Sequence, residues 1–361
     1  MSKNILELCL SPDLGGLEIY VVDYFEFIQE KTNSFLVIQK NKKIDNYIKN
    51  KKSIFYLKRN RLLPIFPALK LAKFIDKNNI DIIHFHWTKD INIAVLAKYF
   101  SKKNPKIVQS RHMTMTRFKN DFYHKWLYKN IDLMHCVTKQ VRNQLEKFIP
   151  AEVLPIIKDI YPGVKSSVTK DDNIKTLKSK YNINNEFIVG IVGRIEEAKG
   201  QYLLIEAVSQ LENFNIKVLI VGQAMNEEYV EKLKELSRNL NIEDKIIFTG
   251  FTKDVNTHMR LFDINVLATP KETFGLVIIE AMINKVCVIA TNNGGPLEII
   301  DDNKTGLLFN RTSDELARKI KFLIENKEFK NEIANNAYQN ALLKFNSSTQ
   351  FKKLYQEIGS I

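Results

Sequence analysis

Short apolar runs rich in β-branched residues alternate with amphipathic stretches along this chain, in two successive series. The first series comprises ILELCL, SFLVIQ, SIFYL, DIIHF, KIVQS and LMHCV, and the second comprises EFIVGIVG, IKVLIVG, KIIFTG, INVLA, VCVIA and GLLF. Such alternation predicts strand–helix units, which build parallel sheets with helices on both faces. Each series suffices for one doubly wound sheet, so the sequence predicts an α/β protein with two Rossmann-like domains.

A connection between the two domains is expected from Ile156 to Asn185, where Pro162-Gly163, polar residues and a short Lys-rich stretch replace any strand-like run. A length of 361 residues also fits two cores better than one. We therefore expect an N-terminal domain over residues 1–163 and a C-terminal domain over residues 164–345. A terminal helix over residues 346–361 is expected to reach back across both domains and is counted with the first.

The apolar runs are too short to span a membrane, because a span needs roughly 18–20 residues. Glu7 interrupts the first run before a signal-like core develops. Cys9, Cys136 and Cys287 are isolated and lack metal-ligand spacing, which favours a reducing compartment. These features predict a cytoplasmic protein.

Positive charge is concentrated in the first domain. The chain has a formal net charge of +13, and residues 1–165 hold 29 Lys and Arg against 15 Asp and Glu, an excess of +14 that leaves −1 for the remainder. Many of these bases lie between aromatic and apolar residues, in a basic stretch from Lys40 to Pro67 and in TRFKNDFYHKWLYKN. A solvated edge explains such stretches. Contact with an anionic partner, such as a phosphorylated glycan or the inner face of the plasma membrane, explains them equally well.

Two cations follow the first strand of the second series. Arg194 comes directly after EFIVGIVG, and Lys199 precedes the next helix five residues later. Open α/β sheets bind ligands at the carboxyl ends of their strands. A guanidinium and an ammonium group there can neutralise a diphosphate without a metal ion, although two solvated surface bases would give the same pattern.

The sequence TPKETFGLVIIEAM places two carboxylates after the strand INVLA. Glu272 lies in the loop, a helix is predicted to begin near Thr273–Phe274, and Glu280 lies inside that helix. Gly275 lets a ligand approach the first helical turn, whose free N–H groups attract anions. Glu280 lies roughly 9 Å along the helix axis from this first turn. That distance suits the ribose of a nucleotide whose phosphate is held at the helix start. Either Glu could instead be an ordinary solvated or ion-paired side chain.

Three sequence motifs in this order resemble those of the retaining glycosyltransferases of family 4. They are GRIEEAKG, the pair Glu272 and Glu280 with FGL and EAM, and GGPLEIIDDNKTGLLF at Gly294–Phe309. That family has the GT-B fold, in which two Rossmann-like domains face a central cleft. The resemblance implies that Arg194 and Lys199 hold the donor diphosphate and that Glu280 binds the ribose hydroxyls.

The resemblance also implies roles in sugar binding. Glu272 would bind hydroxyls of the transferred sugar, while Phe274, Gly275 and Leu276 would offer backbone amides to the donor.

The sequence departs from the family pattern at three places. Lys285 and Cys287 stand where Gly and Pro are usual, and GQAM at Gly222–Met225 replaces Gly-x-Gly-Pro. These departures leave the identity of the donor base open.

The first domain offers a second set of candidates. Gly15 and Gly16 follow the first strand, where they allow close approach of a donor phosphate or sugar. A simple tight turn explains them too, and GGLE lacks the third glycine of a dinucleotide fingerprint.

Histidines of the first domain lie at or near strand ends. His112 follows KIVQS, and the resemblance implies that it contacts the donor sugar, which makes His112 and Glu272 the catalytic candidates. His86 and Arg111 are acceptor-side candidates, whereas His84 is expected to be structural. No metal site is expected, because acidic partners and suitable spacing are missing from the sequence around these histidines.

The absence of an Asp-x-Asp motif from the sequence leaves charge compensation to the cations and the helix start. We therefore expect no metal and no cofactor, with a nucleotide-diphosphate sugar as substrate. A carboxylate nucleophile for double displacement is not evident, and the resemblance implies front-face substitution, in which the departing phosphate deprotonates the acceptor hydroxyl.

The expected protein is thus a retaining glycosyltransferase acting on a glycan or lipid-linked acceptor in bacterial surface polysaccharide, lipopolysaccharide or glycoconjugate synthesis. A nucleotide-sugar epimerase with the same fold is an alternative. A basic nucleic-acid-binding protein is another, but the bases lie on no recognition helix or aromatic sheet motif. A catalytically silent scaffold would have lost the two cations that are expected to bind phosphate, and this chain retains both.

Overall fold

The structure is a computed structural model that describes residues 3–48, 50–60, 63–165 and 171–361. The chain forms two compact units: the first contains Met1–Pro162 and Ser347–Ile361, and the second contains Gly163–Asn346. These limits lie one residue from the boundaries suggested by the sequence. Lys49, Arg61 and Leu62 of the basic stretch, and residues 166–170 of the expected connection, lie outside the described residues.

Charge divides unequally between the units. The first unit holds 30 Lys and Arg against 16 Asp and Glu, and the second holds 24 against 25. The first unit therefore carries +14 and the second −1.

A parallel sheet with the strand order β3-β2-β1-β4-β5-β6-β7 forms the centre of the first unit. Its strands are β1 (Ile5–Leu8), β2 (Ser34–Ile38), β3 (Ile54–Tyr56), β4 (Ile82–Phe85), β5 (Lys106–Arg111), β6 (Leu133–Cys136) and β7 (Ile156–Asp159). The helices between them are α1 (Gly16–Gln29), α2 (Lys43–Tyr47), α3 (Ile65–Lys77), α4 (Ile91–Phe100), α5 (Phe122–Lys129) and α6 (Lys139–Phe148). Strands β1, β4 and β6 are buried along their whole length, which explains their apolar sequences.

Strand β7 corrects the expectation that the connection contains no strand. It pairs in parallel with β6 at the edge of the sheet, and its residues are partly exposed. An edge strand is covered less completely than a central one, so its sequence, IIKD, tolerates charge and does not form a continuous apolar run.

The second unit repeats the architecture with the strand order β10-β9-β8-β11-β12-β13. Its strands are β8 (Phe187–Val192), β9 (Ile216–Val221), β10 (Ile246–Gly250), β11 (Ile264–Leu267), β12 (Cys287–Thr291) and β13 (Leu307–Phe309). Its helices are α7 (Asp171–Lys180), α8 (Gln201–Ser209), α9 (Glu227–Asn239), α10 (Val255–Met259), α11 (Leu276–Ile283), α12 (Pro296–Ile299), α13 (Ser313–Glu325) and α14 (Lys327–Lys344). Two doubly wound parallel sheets confirm the predicted fold class. Among the described residues, none of the helices is both long and apolar enough to cross a membrane.

The last helix, α15 (Ser347–Gly359), belongs to the first unit. The ring of Phe351 lies 5.3 Å from that of Tyr20, 5.4 Å from that of Tyr24 and 5.7 Å from that of Phe27, all on α1. Leu354 on α15 is fully buried in the same core. A segment that follows the second unit in sequence therefore completes the core of the first.

The strand order reverses once in each sheet, between β1 and β4 in the first unit and between β8 and β11 in the second. Loops at the carboxyl ends of the strands diverge at such a reversal, which is where doubly wound folds bind ligands. Gly15 and His86 follow β1 and β4, whereas Arg194 and Glu272 follow β8 and β11. Each unit therefore has predicted site residues beside its reversal point.

Candidate active site

The loops after β8 and β11 are joined by an ion pair. Lys199 Nζ lies 3.0 Å from Glu272 Oε2, and both side chains remain about one quarter exposed, at 24% and 21%. Lys199 ends a 3-10 turn that leads directly into α8. The structure therefore brings together two of the predicted site residues, which are 73 positions apart in sequence.

Arg194 is the most accessible of the predicted cations. Its side chain is 59% exposed, and its Nη2 lies 3.0 Å from Glu196 Oε1. The Gln201 side-chain amide donates a hydrogen bond to the Arg194 carbonyl at 2.9 Å, which fixes the loop backbone. The guanidinium can thus reach a ligand while the loop that carries it stays in place.

Helix α11 begins later than the sequence suggested. It starts at Leu276, with Gly275 as its N-cap, and not near Thr273–Phe274. Gly275 has φ 103°, a conformation that strongly favours glycine, and this residue turns the chain into the helix. Neighbouring loops support the preceding segment, because the Gly295 N–H donates to the Glu272 carbonyl at 2.9 Å.

Glu280 lies half-buried on α11. Burial raises the pKa of its carboxyl to about 7. Within the part of the chain that the structure describes, this carboxyl has no hydrogen-bond or ion-pair partner. An acceptor of this kind is available to ligand hydroxyl groups. Phe274 is buried, with its ring 5.9 Å from that of Phe345, so its backbone, and not its ring, is the part that could serve a ligand.

The departures from the family pattern have local explanations. Lys285 has φ 56°, in the left-handed region where glycine is usual, and its ammonium group lies 4.9 Å from the centre of the Tyr338 ring. Cys287 is buried as the first residue of β12. A Cβ at Gly222 would lie 1.8 Å from the Gly193 carbonyl oxygen, so the loops after β8 and β9 are in backbone contact.

In the first unit, Gly15 and Gly16 form the start of α1. The Gly15 N–H donates to Glu18 Oε2 at 2.8 Å. Glu18 is buried, so this amide already has a carboxylate acceptor from its own helix. An anionic ligand would have to displace that carboxylate to use the Gly15 amide.

A buried hydrogen-bonded cluster crosses four strands of the first sheet. The carboxyl group of Glu7 on β1 has its Oε1 3.1 Å and its Oε2 2.9 Å from His84 Nδ1, and its Oε2 lies 2.6 Å from His86 Nε2. His84 Nε2 lies 2.7 Å from Ser110 Oγ, which lies 2.7 Å from His135 Nδ1. The relative exposure of these five residues is 1% or less. Glu7 corrects the expectation that the histidines lack an acidic partner.

The sequence contained a signal for this cluster. Strands β1, β4 and β6 are apolar except for Glu7, His84 and His135. The sheet register places Glu7 opposite His84 and Ser110 of β5 opposite His135. The partners were missed because they come from strands that are distant in sequence. A polar residue within each of several buried strands would have been the clue.

The remaining first-unit candidates surround this cluster. His112 is half-buried, and its Nε2 lies 3.3 Å from His86 Nδ1. Both ring nitrogens of His86 are therefore engaged, and its imidazole is almost fully buried. Arg111 is also buried, and its guanidinium donates to the carbonyls of Met113 and Thr114 at 2.8 Å and 3.0 Å. Arg111 thereby holds the backbone that follows His112.

Burial sets the protonation of the cluster. It lowers the pKa of His84 to about 3 and that of His86 and His135 to about 4, and it also lowers the pKa of His112. Burial raises the pKa of the Glu7 carboxyl, against the opposing effect of His86. All five groups are thus biased toward their neutral forms.

Potential ligand atoms of Glu7, His84 and His86 lie within 4.8 Å of one another. Each is hydrogen-bonded inside the cluster, so an ion could enter only by replacing those bonds. We therefore assign these side chains to a hydrogen-bond network.

Comparison with known proteins agrees with this architecture. Residues 173–340 match the family model described as glycosyl transferases group 1, and residues 7–138 match the model described as glycosyl transferase 4-like. The N-acetyl-alpha-D-glucosaminyl L-malate synthase of Bacillus anthracis is 26% identical over 303 residues, which cover 81% of this chain and 78% of that protein.

Solved structures show the same fold. HepE of Anabaena in complex with UDP superimposes with a TM-score of 0.87 at 22% identity, covering 99% of this chain and 100% of that one. A glycosyltransferase of Rickettsia africae gives a TM-score of 0.88 at 23% identity, covering 99% and 98%. The fold is thus that of the GT-B glycosyltransferases, and the chain is a glycosyltransferase whose first part matches the glycosyl transferase 4-like model and whose second part matches that of glycosyl transferases group 1.

Proposed function

We propose that this enzyme transfers a sugar from a nucleotide-diphosphate donor to a hydroxyl group of a glycan or lipid-linked acceptor, with retention of anomeric configuration and without a metal ion. The observation that carries the proposal is the convergence of Arg194, Lys199, Glu272 and the start of α11 at the carboxyl ends of β8 and β11. The order of strands reverses there, as it does at nucleotide sites of doubly wound folds.

The groups at this position match the parts of a nucleotide-diphosphate sugar. Arg194 and Lys199 supply positive charge for the diphosphate, and the N–H groups that begin α11 add to it. The carboxyl of Glu280 has no partner among the described residues and suits ribose hydroxyls. HepE was solved with UDP and with UDP-glucose, which supports a donor of this chemical class.

The ion pair between Lys199 and Glu272 suggests how donor binding begins. In the structure Glu272 supplies the counter-charge of Lys199. A diphosphate would compete for Lys199, and the freed Glu272 carboxylate could then accept hydrogen bonds from the hydroxyls of the sugar. When the glycosidic bond breaks, negative charge develops on the leaving diphosphate, where the two cations stabilise it. Retention then follows from attack on the same face, with the departing phosphate accepting the proton of the acceptor hydroxyl.

The first unit is the proposed acceptor side. Its excess of bases favours an acceptor that carries phosphate or lies on an anionic membrane. Phe118, Phe122 and Tyr123 are exposed large side chains beside the bases Arg117 and Lys119, an arrangement that suits an interface between water and lipid. We place the enzyme in the cytoplasm, at the inner face of the plasma membrane, in synthesis of a bacterial surface polysaccharide, lipopolysaccharide or glycoconjugate.

Turnover of a panel of nucleotide sugars, followed by mass spectrometry with and without saccharide acceptors, tests the proposal. We expect release of nucleotide diphosphate to require an acceptor, and the new linkage to have the anomeric configuration of the donor by NMR. Acceptor-independent interconversion of nucleotide sugars would instead establish an epimerase.

Calorimetric titration with nucleoside diphosphates in EDTA tests the donor site separately. Glu280→Ala should weaken binding about tenfold or more, as expected for loss of a charged hydrogen bond. Glu235→Ala, on the exposed surface of α9, is the matched control. Equal affinity of the two variants would refute the role of Glu280, and binding abolished by EDTA would refute metal independence.

A further inference from the structure

The buried cluster of the first unit is one continuous chain of hydrogen bonds. It begins at the Ile160 carbonyl, to which His135 Nε2 lies at 2.7 Å. It then passes through Ser110, His84, Glu7 and His86 in turn, and it ends at Nε2 of the half-buried His112. Six hydrogen bonds thus join a backbone carbonyl in the core to a predicted site residue.

The backbone carbonyl fixes the direction of the first bonds. A carbonyl oxygen only accepts, so His135 donates from Nε2 and, as a neutral imidazole, accepts at Nδ1. Ser110 therefore donates to His135 Nδ1, and its hydroxyl oxygen accepts a hydrogen bond from the Nε2–H group of His84. A neutral His84 then carries no proton on Nδ1, the nitrogen that lies beside Glu7.

Filling every bond of the chain requires one more proton than its groups supply when Glu7 is ionised. Each of its six hydrogen bonds needs one proton. One hydroxyl and four neutral imidazoles supply five, and an ionised Glu7 supplies none. These five protons can fill five of the six hydrogen bonds. They do so only when His112 carries its proton on Nε2 and donates it to His86. Any other tautomer of His112 leaves two bonds without a proton.

We propose that the bond between Glu7 and His84 stores this additional proton, and that the chain thereby holds His112 as the tautomer protonated on Nε2, with the lone pair of Nδ1 available to a ligand. Glu7 and His86 are positioning residues in this arrangement, because they act on a ligand only through His112. Among the described residues, His112 Nδ1 has no hydrogen-bond partner.

Burial explains why the arrangement is stable. Glu7, His84 and His135 are fully buried, and a cluster with neutral imidazoles and a protonated carboxyl carries no net charge, which lowers the cost of desolvation. The ring centre of Tyr20 lies 4.9 Å from that of His112, and the ring centre of Tyr24 lies 5.6 Å from that of His84. The shifts in pKa described above favour the same neutral state.

The consequence for recognition depends on the proposed function. A sugar presented to His112 would have to donate a hydrogen bond, since Nδ1 of this tautomer can only accept. Such a site would therefore select a sugar whose free hydroxyl faces His112 and discriminate against a deoxy or O-methylated analogue. A group that pairs with a charged imidazolium, such as a uronate carboxylate, would bind poorly there.

Nitrogen NMR of the full-length protein with 15N-labelled histidine tests the chain of hydrogen bonds without any substrate. The sequence has six histidines, and each can be assigned by substitution. We expect His112 to be neutral at pH 7, with Nε2 protonated and Nδ1 unprotonated, because burial lowers the pKa of its imidazole. A protonated Nδ1, or an imidazolium at pH 7, would overturn the proposal.

Variants at the two positioning residues extend the test. Glu7→Gln should keep the His112 tautomer, because the amide can accept from His86 and donate to His84 as a protonated carboxyl does, and kcat/KM should change less than about threefold. His86→Phe removes the acceptor for His112 and should mix its tautomers and lower kcat/KM about tenfold. Loss of the tautomer in Glu7→Gln, or its retention in His86→Phe, would contradict the mechanism.

The outcomes separate this inference from the proposed function. The expected tautomer in a protein that transfers no sugar would leave the hydrogen-bond chain intact and refute the function. Sugar transfer by a protein in which His112 has the other tautomer would refute the hydrogen-bond chain and leave the proposed function intact.

Discussion

In the first unit the polar side chains beside the reversal of strand order are buried and bonded to one another, whereas in the second unit they remain partly accessible. Glu7, His84 and His86 have fully buried side chains, while Lys199 and Glu272 are about one quarter exposed. The same sheet topology thus supports two kinds of site. Under the two proposals above, the second unit presents charge directly to a ligand, and the first presents a single imidazole whose tautomer is set from within the core.

This difference predicts that substitutions of the candidate site residues in the second unit affect catalysis and spare stability, while those of the buried cluster in the first unit affect both. Of the four predictions that follow, in order of decreasing effect, the first two test this contrast and the last two test the proposed roles of the two units in binding.

Lys199→Ala should lower kcat about 10²- to 10³-fold, because it removes a cation from the leaving diphosphate. Steady-state assay of nucleotide-diphosphate release measures it. Lys217→Ala is the matched control, since Lys217 is similarly paired, with Glu186 at 3.0 Å, but lies near the amino end of β9. Comparable values of kcat for the two variants would refute a catalytic role of Lys199.

Glu7→Ala should lower the thermal unfolding midpoint by about 5 °C or more, because His84 and His86 lose a buried partner at about 1–3 kcal/mol each. Glu272→Ala should shift the midpoint by less than about 1 °C, as expected for a partly exposed position. Differential scanning calorimetry compares the two. Equal shifts of the unfolding midpoint in the two variants would contradict the proposed difference between the buried cluster of the first unit and the accessible site of the second.

Nucleotide affinity should fall about tenfold between pH 8 and pH 6. The Glu280 carboxyl has a pKa of about 7, so it is mostly ionised at pH 8 and mostly protonated at pH 6, and only the ionised form accepts hydrogen bonds with full strength. Titration calorimetry at both pH values measures the change. The Glu280→Gln variant should bind the nucleotide weakly, with little dependence on pH. A pH dependence equal to that of the unsubstituted protein would show that another group titrates.

Phe122→Ser should reduce binding to vesicles containing anionic lipid by roughly threefold, because an exposed aromatic side chain loses its contact with the interface. Phe122 is 88% exposed in the first unit, and Leu343, at 80% in the second, is the matched control. Co-sedimentation at low and high salt measures both. An equal effect of Leu343→Ser, or vesicle binding insensitive to salt, would argue against a basic docking face on the first unit.

The sequence predicted the second unit better than the first. Its loops carry their charged residues in short motifs, so the sequence alone assigns Arg194, Lys199 and Glu272 to strand ends. The start of α11 was placed too early, because the positive φ of Gly275 delays the helix and leaves no mark in a periodic pattern.

The cluster of the first unit was not predictable in the same way. Glu7 and His84 are adjacent only because β1 and β4 pair, a choice of strand order that apolar periodicity does not encode. Edge strand β7 was missed for a related reason, since partial exposure removes the continuous apolar signal on which strand prediction depends. The roles of His112, His86 and Arg111 toward substrates stay predictions.

The return of α15 to the first unit also bears on synthesis of the protein. The second unit is contiguous, so all of its residues leave the ribosome before α15 does. Until then the first unit lacks Phe351 and Leu354, and the aromatic face of α1 formed by Tyr20, Tyr24 and Phe27 has no cover from α15. Domains ordinarily mature in the order of translation. Here the unit that begins first is completed last.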